Sequence, residues 1–271
     1  GRKEGVVVEV LERARATVVG RYVTRNGMSF VVPEDKRIAQ DIVIPRGDEG
    51  GAHEGKIVVV EITAPPSSRT PPAGRVAEVL GDHMAPGMEI EVAVRAHDIP
   101  HVWPEAVLQE AAQFAPEVPA QAAQGRVDLR DVPLVTIDGE DARDFDDAVF
   151  AEHTGHTWRL IVAIADVSYY VKPATALDRE AYARGNSVYF PQHVVPMLPE
   201  ALSNGLCSIN PHVDRLCMAC EMLIDDHGKI SQYRFLEAVM RSRARLTYTK
   251  VAAMLVEKDA VLRREYADVV P

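Results

Sequence analysis

Short apolar stretches separated by turn residues characterise the first third of the chain. Val6–Leu11 lies near the N-terminus, and six further stretches have the composition typical of β-strands: Val18–Val23, Ser29–Val32, Asp41–Ile44, Lys56–Ile62, Arg75–Leu80 and Glu89–Val94. Turn-forming residues such as Asn26-Gly27 and Gly47–Gly51 stand between them. The proline-rich residues 64–72 indicate a surface loop or a rigid polyproline II spacer, because proline donates no hydrogen bond to a sheet. Several short strands at close spacing predict a small β-barrel.

From about residue 96, the pattern changes from strands alone to strands mixed with helices. Pro104–Phe114 has helical spacing, and the Ala-, Gln- and Pro-rich residues 115–125 indicate a linker. From Leu134 onwards, apolar runs predict buried strands and helical spacing predicts helices: strands at Trp158–Ala165 and Met218–Ile224, helices at Thr175–Arg184 and Leu246–Tyr266. The second part of the chain is therefore expected to be a mixed α/β region.

Composition places the chain among soluble globular proteins. Its 271 residues correspond to about two domains, and 47% of them are hydrophobic. The net charge of −10 excludes a uniformly basic surface for nucleic acid, although it does not exclude local basic patches. Three cysteines are too few for a disulfide framework, and no apolar run reaches the roughly 18 residues of a membrane helix, so we expect a cytoplasmic protein without a membrane partner. The chain begins without Met and ends at Pro271 after a helical pattern, so we expect a piece of a larger protein.

Half of the net charge is concentrated between Thr136 and Phe150. This segment carries one arginine and six carboxylates: Asp138, Glu140, Asp141, Asp144, Asp146 and Asp147. Apolar residues border it on both sides, and carboxylates that are buried close together require a compensating cation. The spacing does not match a calcium-binding EF-hand, because neither Asp138 nor Asp144 as first ligand places the required residues at positions 5 and 6. Magnesium bridging carboxylates and a substrate phosphate fits better, and a solvated acidic loop is the alternative.

Four longer segments carry a family resemblance. They are VDLRDVPLVTIDGEDARDFDDAVF (127–150), IVAIADVSYYV (161–171), RGNSVYFPQHVVPMLPEALSNGLCSINPHVDRL (184–216) and AVMRSRARLTYTKV (238–251). These segments resemble the catalytic RNB domain of the ribonuclease II/R family. The resemblance extends over essentially the whole chain and is densest from Arg126 to Val251.

The resemblance implies an α+β architecture, in which a small OB-fold β-barrel of the cold-shock type precedes the first part of a mixed α/β RNB catalytic domain. Residues 17–95 are expected to form the barrel, residues 96–132 a linker with a helix, and residues 133–271 the truncated RNB domain. Residues 1–16 would be the edge of a preceding domain or a connector. The family's catalytic domain is expected to continue beyond Pro271, with an arginine-bearing segment and then a basic S1 domain.

Members of this family degrade RNA from the 3′ end, so the resemblance implies a processive 3′→5′ exoribonuclease that releases nucleoside 5′-monophosphates. It assigns four aspartates as catalytic residues that hold two Mg²⁺ ions: Asp138, Asp144, Asp146 and Asp147. Single-stranded RNA is the expected partner, RNA-decay or ribosome-associated factors are open as further partners, and no small-molecule cofactor is expected. Because the later half of the site would be missing, we expect weak or no activity from the isolated chain, and a non-catalytic RNA-binding fragment is the alternative function.

Aromatic and basic side chains are expected to supply further RNA contacts. The resemblance implies that Tyr189 stacks on the 3′-terminal base, with a core aromatic as the alternative. Tyr22 and Phe30 lie in segments similar to the aromatic strands of cold-shock domains and are candidates for stacking on single-stranded RNA, although Phe30 fits the barrel core equally well. Four positive charges within ten residues predict either a phosphate-binding wall or the solvated start of a helix: Arg241, Arg243, Arg245 and Lys250.

Two other patterns allow either a functional or a structural interpretation. Cys207, His212, Cys217 and Cys220 have a spacing near that of zinc sites. However, Cys217 and Cys220 fall in a predicted strand, where residues three apart face opposite sides, so zinc is not expected. Asp166, in an apolar strand, is either a support for the aspartate segment or a locally hydrogen-bonded structural residue.

Overall fold

The computed structural model describes residues 16–67, 69–191 and 193–269. The chain divides into two compact units, of which the first ends at His101 and the second begins at Val102. The predicted strand Val6–Leu11, and all but the last residue of the expected connector 1–16, lie outside the described residues.

The first unit is a closed five-stranded barrel. Its strands are β1 (Thr17–Arg25), β2 (Met28–Pro33), β3 (Ile42–Ile44), β4 (Lys56–Ala64) and β5 (Ala73–Asp82), paired in the order β1-β2-β3-β5-β4. Alternation along these strands buries one face, which includes Val31, Ile42 and Val58. Gly20 lets β1 approach β2, because a Cβ at this position would lie 2.4 Å from the Val32 carbonyl oxygen. The small barrel predicted from the strand pattern is confirmed.

The predicted strand Glu89–Val94 is wrong, because this segment is helical. Helix α1 covers Met88–Ala96. Met88, Val92 and Ala96 recur at every fourth position and pack against Val19 and its neighbours in a small apolar cluster. The local alternation of Glu and apolar residues fits a strand as well as a helix, and the i, i+4, i+8 spacing of the buried side chains decides for the helix.

The second unit is built around a seven-stranded sheet. Its strands are β6 (Val127–Leu129), β7 (Val135–Asp138), β8 (Asp147–His153), β9 (Thr157–Ala165), β12 (Asp214–Asp225), β13 (Ile230–Arg241) and β14 (Ala244–Thr247), in the order β14-β7-β8-β9-β12-β13-β6. The pairs β14/β7 and β13/β6 are parallel, and the other neighbours are antiparallel. Strands β10 (Val188–Phe190) and β11 (His193–Val195) form a separate hairpin. The two predicted buried strands are confirmed in β9 and β12.

Short helices accompany this sheet: α2 (Glu105–Ala111), α3 (Val167–Tyr170), α4 (Ala176–Arg184), a π-helix (Ala201–Leu206), α5 (Tyr248–Leu255) and α6 (Ala260–Glu265). The predicted helices at 104–114 and 175–184 correspond to α2 and α4. The prediction of one helix over Leu246–Tyr266 is wrong. Leu246 lies in β14, and Lys258, with a φ of 60°, separates α5 from α6. Asp259 then begins α6 by accepting hydrogen bonds from the N–H groups of Val261 and Leu262.

Candidate active site

The four predicted aspartates lie at the point where β7 passes into β8. Asp138 is the last residue of β7 and Asp147 is the first residue of β8, while Asp144 and Asp146 belong to the connecting residues 139–146, here named the aspartate loop. All four line one cavity of about 460 Å³, together with Tyr189 and further loop residues. The structure therefore brings together the four carboxylates that the sequence singled out.

Phe145 anchors the loop from inside. Its side chain is 3% exposed, although it stands between Asp144 and Asp146. After it, the Asp146 carbonyl accepts a hydrogen bond from the N–H of Ala165 in β9 (2.8 Å). Because Phe145 points into the protein, the side chains on either side of it are directed toward the cavity, which they line.

Like charges at close range dominate the electrostatics of the cavity. Enclosure by protein atoms raises the pKa of Asp146, and the neighbouring charges of Asp144, Asp147 and Asp138 raise it further. Asp146 and Asp147 nevertheless remain open to solvent on the cavity side, whereas Asp138 and Asp144 are half-buried. Because burial and then the three neighbouring carboxylates raise this pKa, a cation in the cavity would stabilise the ionised form of Asp146.

Two of the carboxylates are engaged in hydrogen bonds with the protein. The Asp138 Oδ1 atom accepts from the Gly139 N–H (2.7 Å), and the Asp144 Oδ1 atom accepts from the Tyr189 hydroxyl (2.6 Å). Within the described ranges, no three His, Cys, Asp or Glu side chains are grouped closely enough to hold one metal ion. The donor set consists of carboxylate oxygens, which suits Mg²⁺, but side-chain rotations must bring these oxygens together before they share an ion.

Tyr189 forms one side of the cavity. Its ring is 56% exposed, so the alternative of a core aromatic does not hold. Partial burial, the hydrogen bond to Asp144 and the nearby negative charges all raise the pKa of its hydroxyl. The hydroxyl therefore stays protonated and donates its hydrogen bond to Asp144, which couples the orientation of the ring to the carboxylate cluster.

The four predicted basic residues make different contacts with the protein. Arg241, at the end of β13, pairs with Asp214 (2.7 Å), and Arg243 is half-buried with its N–H bonded to the Leu134 carbonyl. The Lys250 Nζ atom lies 3.5 Å from the Tyr266 hydroxyl. The alternative of a solvated helix start is wrong for the three arginines, because Arg241 ends β13, Arg245 lies in β14 and Arg243 lies between the two strands.

Arg245 contacts the aspartate loop itself. It donates a hydrogen bond to the Ala142 carbonyl (2.6 Å), and its guanidinium carbon lies 4.0 Å from the centre of the Phe145 ring. The cation therefore stands beside the most acidic segment of the chain and links it to β14.

Glu140, a loop carboxylate outside the four assigned aspartates, contacts the start of α5. Hydrogen bonds from Thr249, and more weakly from Thr247, lower its pKa. Both threonines belong to the start of α5, where Thr247 is the N-cap residue. A threonine N-cap is a recognisable signal in the sequence, but its pairing with Glu140 depends on the parallel contact between β14 and β7.

The aromatic candidates of the barrel differ in accessibility. Tyr22 is 5% exposed, and its hydroxyl donates to the Ser29 Oγ atom (2.6 Å), so its ring lies in the barrel core and presents no face to a base. Phe30 is half-buried and lines a shallow cavity of about 500 Å³ with Arg69 and Asp41. Of the two, Phe30 is the residue whose position permits stacking.

Asp166 has the contacts of a structural residue. Its carboxylate pairs with Arg126 (2.6 Å) and accepts from the Ser168 hydroxyl and the Tyr169 N–H at the start of α3. Burial acts to raise its pKa, but the hydrogen bonds and the Arg126 charge outweigh it, so the pKa lies below the usual range.

Cys217 is buried in the sheet core, while Cys220, three positions along β12, is half-exposed.

Comparison with known proteins gives a clear family assignment. The profile of the RNB domain matches residues 126–269, and that of the cold shock domain matches residues 30–104. Over its full length, the chain is 59% identical to ribonuclease R of Vibrio parahaemolyticus, of which it covers 32%. The chain belongs to the ribonuclease II/R family.

Solved structures of family members agree with this fold. The complex of Mycoplasma genitalium RNase R with double-stranded RNA matches with a TM-score of 0.87 at 28% identity, over 94% of this chain and 45% of that one. The complex of the same enzyme with ribose-methylated single-stranded RNA matches with a TM-score of 0.86 at 27% identity, over 93% of this chain and 40% of that one. The present chain spans about a third of the ribonuclease R sequence that it matches.

Among the described residues, no helix is both long and apolar enough to cross a membrane.

Proposed function

We propose that this chain carries the acidic part of the active site of a 3′→5′ exoribonuclease. The enzyme would hydrolyse single-stranded RNA processively and release nucleoside 5′-monophosphates. The observation that carries the proposal is the convergence of Asp138, Asp144, Asp146 and Asp147 on one cavity, with the exposed ring of Tyr189 beside them. Relatives named ribonuclease R and neighbours solved with RNA support this reaction and this substrate class.

The donor set of the cavity fits magnesium. The four assigned aspartates form an anionic site, in which burial and the neighbouring charges raise the pKa of Asp146. Such a site would repel an RNA phosphate unless cations offset the charge. We assign Asp138 and Asp147 to a first Mg²⁺ ion, and Asp144 and Asp146 to a second ion or to the orientation of water. When bound, two Mg²⁺ ions would lower the pKa of the attacking water and offset the charge on the departing 3′ oxygen.

Tyr189 would place the end of the RNA beside the carboxylates. Each base has a π-face, so stacking on an exposed tyrosine ring stabilises binding by about 1–3 kcal/mol whatever the sequence. The hydrogen bond from its hydroxyl to Asp144 fixes the ring relative to the site of cleavage. A base on this ring would therefore bring the terminal phosphodiester toward the cavity.

The remaining RNA contacts would come from the barrel and from the basic residues. Phe30 offers a partly exposed ring for stacking. Lys and Arg side chains bind phosphates without reading sequence, which is the role proposed for these four residues: Arg241, Arg243, Arg245 and Lys250. Arg241 and Arg245 already contact protein groups, so phosphate binding by them would share or replace those contacts.

Incubation of the chain with 5′-labelled single-stranded RNA tests the proposal. We expect a weak ladder of products shortened from the 3′ end, which requires Mg²⁺ and disappears on chelation, because this chain carries only part of the site. Asp147→Asn should abolish the ladder while RNA binding persists. A ladder that survives both treatments would exclude the proposed use of the carboxylates.

A non-catalytic RNA-binding fragment is the second candidate. The short span of this chain relative to ribonuclease R favours it. In the same experiment, RNA binding without any Mg²⁺-dependent shortening would support this candidate for the chain.

A further inference from the structure

Ser208 lies in the buried segment that follows the π-helix Ala201–Leu206, and it contacts the main chain of the aspartate loop. Its side chain is 0% exposed, and its Oγ atom accepts a hydrogen bond from the Phe145 N–H (3.0 Å). The next residue, Ile209, donates its N–H to the Phe145 carbonyl (2.7 Å). Ser208 and Ile209 together satisfy both main-chain polar groups of Phe145.

These two hydrogen bonds act on the peptide units that carry the neighbouring carboxylates. The Phe145 N–H belongs to the peptide shared with Asp144, and its carbonyl belongs to the peptide shared with Asp146. Because a peptide unit is planar, holding these two units limits the directions in which the Asp144 and Asp146 side chains leave the main chain. The bond from the Ala165 N–H to the Asp146 carbonyl holds a third unit in succession.

Arg215 holds Ser208 in turn. Its Nε atom donates to the Ser208 carbonyl (2.8 Å), and a terminal guanidinium nitrogen donates to the Asp214 carbonyl (2.8 Å). The residue is 6% exposed, and this burial lowers the pKa of the guanidinium. A buried cation is costly unless its donors are used, and here the Nε bond holds the Ser208 carbonyl, while the second bond holds the Asp214 carbonyl at the start of β12.

We propose that Ser208, held in place by Arg215, is a positioning residue that sets the separation of Asp144 and Asp146 for cation binding. The inference rests on the proposed function, since it concerns the same carboxylates. Ser208 itself touches neither the cavity nor a substrate, because its hydroxyl is buried against Phe145. Its effect is transmitted through the main chain of the loop.

The test compares three variants with the unmodified chain. Ser208→Ala removes the acceptor, and Ser208→Cys keeps a similar volume with a weaker acceptor. Ser203→Ala is the matched control, because Ser203 is also buried nearby in sequence, and among the described residues its hydroxyl has no hydrogen-bond partner. Two quantities are measured on each folded protein: Mg²⁺ affinity by calorimetry and hydrogen exchange of the Phe145 and Ala165 amides.

We expect Mg²⁺ affinity to fall by about 10- to 100-fold in Ser208→Ala, the range found when a residue supporting metal ligands is lost. Ser208→Cys should lie between this variant and the unmodified chain, and Ser203→Ala should match the unmodified chain. Amide exchange at Phe145 and Ala165 should accelerate in the same order. An affinity in Ser208→Ala equal to that in Ser203→Ala would overturn the positioning role.

The two proposals fail in different ways. If the unmodified chain bound no Mg²⁺, the proposed function would fail, and amide exchange alone would decide on Ser208. Unchanged protection of Phe145 and Ala165 in Ser208→Ala would then overturn the positioning role. If Ser208→Ala did not fold, the Ser208→Cys variant would carry the comparison, and Mg²⁺ affinity and amide exchange equal to those of the unmodified chain would count against the role.

Discussion

In the barrel core, the buried side chains are aliphatic apart from Tyr22, whereas six carboxylates line the cavity beside β7 and β8, among them the four assigned aspartates. The barrel core is stabilised by apolar burial, and the buried Tyr22 hydroxyl donates its hydrogen bond to Ser29. The carboxylate cavity contains a repulsion that the fold tolerates because main-chain hydrogen bonds, Arg245 and Glu140 hold the loop. The comparison separates residues that stabilise the protein from residues that are kept at a cost to stability.

The largest effect is expected from a cavity in the barrel core. Ile42 is 1% exposed, so Ile42→Ala should lower the free energy of unfolding by about 2–5 kcal/mol. Urea unfolding followed by circular dichroism measures this loss. Met28→Ala, at a 56% exposed position of the same barrel, is the control and should change stability by about 0.5 kcal/mol or less. Equal losses in both variants would contradict the assigned barrel core.

Asp146→Asn should lower activity rather than stability, whereas Ile42→Ala lowers stability. Removal of one of four neighbouring negative charges relieves repulsion, so the melting temperature should stay the same or rise. Mg²⁺-dependent RNA cleavage under single-turnover conditions should fall about 100-fold or more, because a proposed metal ligand is lost. Asp141→Asn, in the same loop but outside the four, should cost far less activity. A variant at Asp146 that loses stability and keeps its activity would reverse the comparison.

Tyr189 separates stacking from the hydrogen bond to Asp144. Tyr189→Ala should weaken binding of the RNA 3′ end by about 1–3 kcal/mol and change the length of the final product. Tyr189→Phe keeps the ring, so it should retain most of the affinity while losing the bond to Asp144. Fluorescence anisotropy and gel analysis of the end products measure the two effects. Identical affinity and end products in all three proteins would argue against stacking.

The smallest effect is expected in the pH dependence of stability. The folded-state pKa of Asp146 is raised, so the folded protein binds this proton more tightly than the unfolded chain does. Between the ordinary aspartate pKa and the raised value, this group therefore makes the protein less stable as pH rises. Asp146→Asn should remove this contribution, which unfolding curves at a series of pH values would detect. A stability difference between the two proteins that does not vary across this window would exclude the linkage.

The sequence predicts most of the barrel because each strand has its own local pattern. Alternation decides which side of β1 or β4 is buried, and this information lies within a few residues. The same reasoning did not predict helix α1, because the pattern of Glu89–Val94 fits both the period of a strand and the period of a helix. The prediction of one helix over Leu246–Tyr266 was wrong for a related reason, since the apolar spacing continues through the end of β14 and through the break at Lys258.

At the candidate site, charge density drew attention to Thr136–Phe150, and the family resemblance selected four of its six carboxylates. What holds them together lies far away in the sequence. Ser208 is 63 residues from Phe145, and Arg245 is 103 residues from Ala142. Such contacts follow from the order of the strands, which no local pattern contains. The same limit applies to Tyr22, whose segment resembles an RNA-binding strand although its ring is buried.

Calorimetric titration of the chain with Mg²⁺ tests most directly whether the four aspartates form a cation site. The unmodified chain should show saturable binding, and a double variant, Asp138→Asn with Asp147→Asn, should show none. Absence of saturable binding in the unmodified chain, or undiminished binding in the double variant, would contradict the assignment.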